Sequence, residues 1–170
     1  MNALDVLKYG DRTFRGSLER LPETERNSRG VCGVWSAKEL VAHLASYERV
    51  LEDVFSNFLA GGPTPYLDEY RKGPGFNDQQ VEAREQNSYQ EVMEEYAASH
   101  SRNMELAASI PAEIWSRPGT LPWYGTEYSL DDYIVYAFYG HKREHSAQVA
   151  AFIDVLQGKG SALVHSTVEA

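Results

Sequence analysis

His141 and His145 stand four residues apart on a stripe that steps by four and three residues through Ile134, Phe138, His141, His145, Gln148, Phe152 and Val155. That is the spacing of a buried helical seam, with imidazoles where leucines are expected. One helical turn separates the pair, so both rings project from one face and can hold a single ion. His43 occupies a similar place on a second stripe, Leu40, His43, Tyr47, Val50 and Val54, near the start of another predicted helix. Three inward-facing histidines on two helices point to a divalent metal. His100, in the polar run Ser99-His100-Ser101-Arg102, and His165, close to the last residue, are expected to lie outside this set.

Neutral imidazole is a ligand for zinc, nickel, iron or copper, with zinc or nickel expected here. Three protein nitrogens leave at least one coordination position open. That position can carry water, whose pKa a zinc ion lowers to about 7, or a substrate thiolate or carbonyl. Hydrolysis and metal-assisted thiol transfer both fit. A lone histidine on an apolar stripe is more often a core residue hydrogen-bonded to a neighbour. The pair shifts that balance, because two adjacent buried imidazoles without a shared ion repel when charged and leave nitrogens unsatisfied when neutral.

Other metal patterns fail on spacing. His141-Lys142-Arg143-Glu144-His145 matches the His-x-x-Glu-His of inverted zinc peptidases, but those need a further acidic ligand well downstream, and the sole glutamate after His145 is Glu169. Di-iron carboxylate bundles need two Glu-x-x-His motifs, and the chain has none, Glu39 and His43 being four apart. Glu144, Tyr47, Glu48 and Gln148 are within helical reach of the histidines as supporting contacts, Gln148 because it holds a seam position. No residue stands out as a general base.

The elements that must position these groups follow from periodicity and caps. Leu4, Leu7, Phe14, Leu18 and Leu21 mark a first helix stopped by Pro22. Ser36 with Glu39 forms a capping box that opens a second helix, about Ala37 to Ala60, with Trp35 stapling its start. A long loop with Tyr66 and Tyr70 extends through Gly73-Pro74-Gly75. A third helix is predicted from Asn77 or Asp78 to Pro111, with Val81, Val92, Tyr96, Met104 and Leu106 inward and an unusually polar first half. A second long loop over Pro111 to Tyr128 carries Trp115, Trp123 and Tyr124. Ser129 with Asp132 then caps the helix bearing His141 and His145, which runs to about Gln157. The loop aromatics Trp123, Tyr124, Tyr66 and Phe76 are expected chiefly to pack, with a substrate pocket as the alternative. No strand pattern is evident. The expected fold is all-α, a four-helix bundle with two long connecting loops, forming one domain over residues 1–157 with a flexible tail over 158–170.

Size and charge narrow the function. A chain of 170 residues buries a core without needing a structural metal, so a metal is expected to be functional. A formal charge of -9 and pI near 5.0 exclude a nucleic-acid footprint. Cys32 is the sole cysteine, which excludes an internal disulfide and fits a reducing cytoplasm. The first residues lack a signal-peptide profile, and no apolar run approaches the roughly 20 residues that span a bilayer.

Three segments together carry a family resemblance: Trp35-Ser36-Ala37-Lys38-Glu39-Leu40-Val41-Ala42-His43-Leu44, the loop ending Phe76-Asn77, and Gly140-His141-Lys142-Arg143-Glu144-His145-Ser146-Ala147-Gln148. Over about residues 1–157 the chain resembles the DinB-like superfamily, four-helix bundles related to damage-inducible bacterial proteins and thiol-dependent maleylpyruvate isomerases. The resemblance implies metal ligands at His43, His141 and His145, and it places Asn77 among the pocket candidates. It also implies a homodimer, and thiol transferase, isomerase or related activity using a low-molecular-weight thiol such as mycothiol or bacillithiol. The colibactin-resistance branch lacks this paired-histidine pattern, so its hydrolytic resistance function ranks lower. A protein that sequesters a small toxic molecule, or a structural dimer whose histidines are only core, are the readings from other classes.

Overall fold

The structure is a computed structural model that describes residues 2–159. Helix α1, Ala3–Leu18, starts at Asn2, whose side chain accepts from the Leu4 and Asp5 backbone N–H groups. It buries Leu7, Phe14 and Leu18. A short hairpin follows, β1 (Arg29–Cys32) pairing antiparallel with β2 (Trp35–Ser36). No strand was expected, because these segments are too short to show alternation. Gly33, with φ +58°, lets the chain turn between them.

Helix α2, Ala37–Ala60, opens on the Ser36–Glu39 capping box and ends at Gly61 in the left-handed region, with the predicted bounds. The first long connection contains a short helix, α3 (Pro65–Arg71). The single third helix expected from Asn77 to Pro111 is two helices, α4 (Phe76–Glu82) and α5 (Tyr89–Ala108). Ser88 and Glu91 form a capping box that starts α5 afresh. Arg84, in the break, turns inward with a bidentate grip on Glu95 at 2.7 and 2.8 Å and a bond to the Gln80 carbonyl. The polar composition noted for this stretch is therefore the composition of a chain break.

The second long connection holds the single turn α6 (Ala112–Trp115). From Leu130 to Leu156 the chain is continuously helical, as α7 (Leu130–Ile134), a π-helical segment (Val135–Gly140) and α8 (His141–Leu156). Ser129 and Asp132 cap its start as expected. A π-turn takes up more residues per turn than an α-turn, so the stripe counted from Ile134 loses phase after Gly140. The residues buried beyond it are Lys142, His145, Ser146, Val149 and Ile153, whereas Val155 is 64% exposed.

The protein is mostly helical. Helix α2 packs on α5, and α1 packs on α8. Two apolar clusters fill the interior, one around Leu7, Val50, Phe55, Leu106, Ile134 and Phe138, the other around Phe14, Leu40, Leu44, Tyr96, Val149 and Ile153. Each long helix also turns polar side chains toward this interior: Asp11 on α1, His43 and Glu48 on α2, His100 and Asn103 on α5, Lys142 and His145 on α8. The candidate site is built from these groups. Among the described residues no helix is long and apolar enough to cross a membrane. From Gly160 onward the expected tail, His165 included, lies outside the described residues.

Candidate metal centre

Helix α2 supplies His43, and the first turn and a half of α8 supplies His141 and His145. His141 Nε2 lies 2.9 Å from His43 Nε2 and 2.8 Å from His145 Nε2, so one nitrogen of each ring converges on one point. Nitrogen ligands about 2.0–2.1 Å from a tetrahedral zinc stand roughly 3.3–3.4 Å apart. A small outward swing of the rings would admit an ion.

The protons on these rings are constrained from behind. His145 Nδ1 lies 2.8 Å from Gln148 Oε1, so Nδ1 carries the proton and Nε2 presents a lone pair to the centre. The His141 ring donates to the Ala137 backbone carbonyl, in the π-helical segment. Its Nε2 is then also a lone pair, and two acceptor nitrogens face each other at 2.8 Å. A shared cation removes that conflict. The third ring, His43, has a buried Nδ1 with no hydrogen-bond partner. Burial, followed by His141 and His145, pushes His43 down to about 2. Burial and then His145 and Lys142 bring His141 to about 3. His145 is also lowered by burial, against the opposing pull of Gln148 and Glu144. All three are neutral at pH 7, the protonation state a metal requires.

His43 and His145 are buried, while His141 is only partly covered. The Tyr47 ring stands 4.8 Å from His43 and 4.6 Å from His141, and Trp35 stands 5.1 Å from His43. The Tyr47 hydroxyl, pushed up to about 12 mainly by burial, donates to Asn77 Oδ1 at 3.3 Å. Of the supporting residues expected from sequence, Gln148 bonds a histidine, Tyr47 packs on two of them, and Asn77 reaches the triad only through Tyr47. Glu144 is exposed and makes no hydrogen bond to the triad, so the His-x-x-Glu-His pattern has no working geometry here. Trp123, Tyr124 and Tyr66 are partly buried against the apolar cluster, as expected of packing residues.

Beside the triad lies a second buried polar group. Lys142 Nζ is 2.5 Å from Glu48 Oε1, Asn103 Nδ2 donates to Glu48 Oε2 at 2.8 Å, and His100 Nδ1 lies 3.4 Å from the same oxygen. Glu48 was expected near the triad but is turned away from it. His100, expected to lie outside the metal set, is not among the three converging rings and is buried, 7% exposed. Lys142 was missed, since lysine is seldom buried. Its signal was the stripe Lys142, Ser146, Val149 and Ile153, which runs beside the histidine stripe on α8.

Two long helices of a mostly helical protein thus bring three neutral imidazoles together in an arrangement that could hold a metal ion. The signature of the DinB superfamily matches residues 7–149, and the chain belongs to that superfamily. No curated protein and no solved structure matches it.

Proposed function

We propose that the chain is a metal-dependent enzyme in which His43, His141 and His145 hold one divalent ion, zinc or nickel. In this reading it activates a low-molecular-weight thiol, or water, against a small electrophilic substrate. The observation that carries this is the meeting of His141 Nε2 and His145 Nε2 at 2.8 Å, each with its proton committed elsewhere. Such a contact is unfavourable without a cation between the nitrogens.

When bound, the ion would act as a Lewis acid that lowers the pKa of a thiol or water at its open position. Gln148 and the Ala137 carbonyl hold two of the ligand rings in the ligating tautomer, and Tyr47 and Trp35 exclude water from their flanks. Among the described residues no carboxylate bonds to any of the three rings, which leaves no general base beside the centre. That favours a thiol, which metal coordination deprotonates without a base, over water, which benefits from one. The same reading takes the four long helices as a DinB-like four-helix bundle, one domain over residues 1–157. It acts as a homodimer in the cytoplasm, on a small molecule rather than on nucleic acid or membrane.

The deciding experiment is metal content by inductively coupled plasma mass spectrometry on untagged protein, beside the triple variant His43→Ala, His141→Ala, His145→Ala. About one ion per chain, absent from the variant, is expected. A wild-type chain that takes up neither zinc nor nickel would overturn the reading.

A further inference from the structure

Tyr47 belongs to two groupings at once. Its ring packs on His43 and His141, and it also meets Tyr70 at 5.7 Å and Phe76 at 5.9 Å, which stand 5.6 Å from each other. All three pairs are edge-to-face, the geometry aromatic rings prefer. These rings, with Gly73-Pro74-Gly75 and Asn77, line a cavity of about 300 Å³. Gly73 and Gly75 have φ of +99° and +110°, so the bend of this loop requires glycine at both positions.

We propose that this cavity is the subsite for the uncharged, ring-bearing part of the substrate, delivered to the metal centre past Tyr47. The assignment deepens the proposed function and rests on it for the chemistry, but not for the binding. Three observations converge on it. The cavity shares Tyr47 as a wall with the triad, and the ring Tyr47 approaches most closely is His141, the least covered of the three ligands. No side chain in the lining is acidic or basic. An organic cation or anion would therefore find no counter-ion in the wall, and burying an ion unpaired is costly. The volume lies at the lower end for ligand pockets, which suits one ring and a short substituent.

A second cleft beside the triad, about 480 Å³ and walled by Trp35, fits the role less well. It is lined by charges of both signs, including Arg29, Lys38, Asp78 and Glu82, and Trp35 is its link to His43, a ring only 2% exposed.

The test is fluorine NMR titration of the full chain, metal-free and zinc-loaded, with 4-fluorobenzamide, 4-fluorobenzoate and 4-fluorobenzyltrimethylammonium. The neutral probe is expected to bind metal-free protein at least tenfold more tightly than either charged probe. Tyr70→Ala, at a half-buried position, is expected to weaken it at least fivefold with helical circular dichroism unchanged. Phe76→Leu, which keeps core volume, provides the second variant and is expected to weaken it as well. The subsite is overturned if the neutral probe fails to bind wild-type protein, if a charged probe binds metal-free protein as tightly, or if the folded variants retain full affinity. Metal content, measured separately, keeps the two readings apart. Probe binding without metal uptake removes the proposed chemistry and leaves the subsite; metal uptake without probe binding does the reverse.

Discussion

Lys142 Nζ and Glu48 Oε1 meet at 2.5 Å with neither side chain more than 2% exposed, joining the two helices that carry the histidine triad. Burial alone would raise the Glu48 carboxyl, yet Lys142 and then His100 hold it down at about 2, so Glu48 is ionised at neutral pH. Each partner is adjacent in sequence to a residue of the site, Lys142 to His141 and Glu48 to Tyr47. Replacing one partner leaves the other charged and unpaired in the interior. Lys142→Met should cost about 3–5 kcal/mol in urea denaturation, while the double variant Glu48→Gln, Lys142→Met should recover most of that loss. A single variant as stable as wild type would refute the ionised pair.

Gln148 governs the tautomer of His145 through the 2.8 Å contact at Nδ1. Gln148→Leu preserves bulk and removes the acceptor, and it is expected to weaken zinc binding by roughly 10–100-fold with little change in unfolding midpoint. Competition against a chromophoric chelator measures it. Unchanged affinity would mean the ring needs no such restraint.

The three rings make metal-free stability depend on pH in a predictable direction. In the folded chain His43 titrates at about 2 and His141 at about 3, and His145 is also depressed, whereas unfolded histidine titrates near 6.5. Below about pH 6.5 the unfolded chain binds protons that the folded chain refuses, so stability falls as pH falls through this window toward the folded values. Each ring contributes a slope of up to about 1.4 kcal/mol per pH unit. Denaturant titrations between pH 7 and pH 4 should show this decline, and the triple alanine variant should flatten it. Equal slopes would show that the rings are not held neutral.

Ser88 is the point where a polar stretch becomes a new helix. Ser88→Ala removes the acceptor for the Glu91 N–H, 3.2 Å away, and should lower stability by about 1 kcal/mol. A change within a few tenths would mean that packing alone sets the α4–α5 break.

What could be read from the chain divides along physical lines. The Ser36–Glu39 and Ser129–Asp132 boxes are local, and the helices they open begin where the sequence indicates. The same box at Ser88 and Glu91 was equally legible, but the apolar positions Val81 and Val92 drew one helix across it. The convergence of His43 with His141 and His145 could be expected because each histidine sits on a stripe that its own helix must bury. The Glu48–Lys142 pair could not, because its partners lie 94 positions apart and each alone reads as a surface charge. The π-helical segment has no compositional signature, and its effect appears only as the lost phase between Phe138 and Val155.

The buried polar groups shared by α2 and α8 also act as an alignment key. A hydrocarbon interior tolerates a helix slipping by one turn, since one leucine replaces another. Here a one-turn slide of α8 would move the Lys142 ammonium from Glu48 toward hydrophobic side chains and carry His141 away from His43. Misaligned packings are thus penalised by stranded charge, at some cost in stability, and the arrangement that satisfies the charges is the one that gathers the imidazoles.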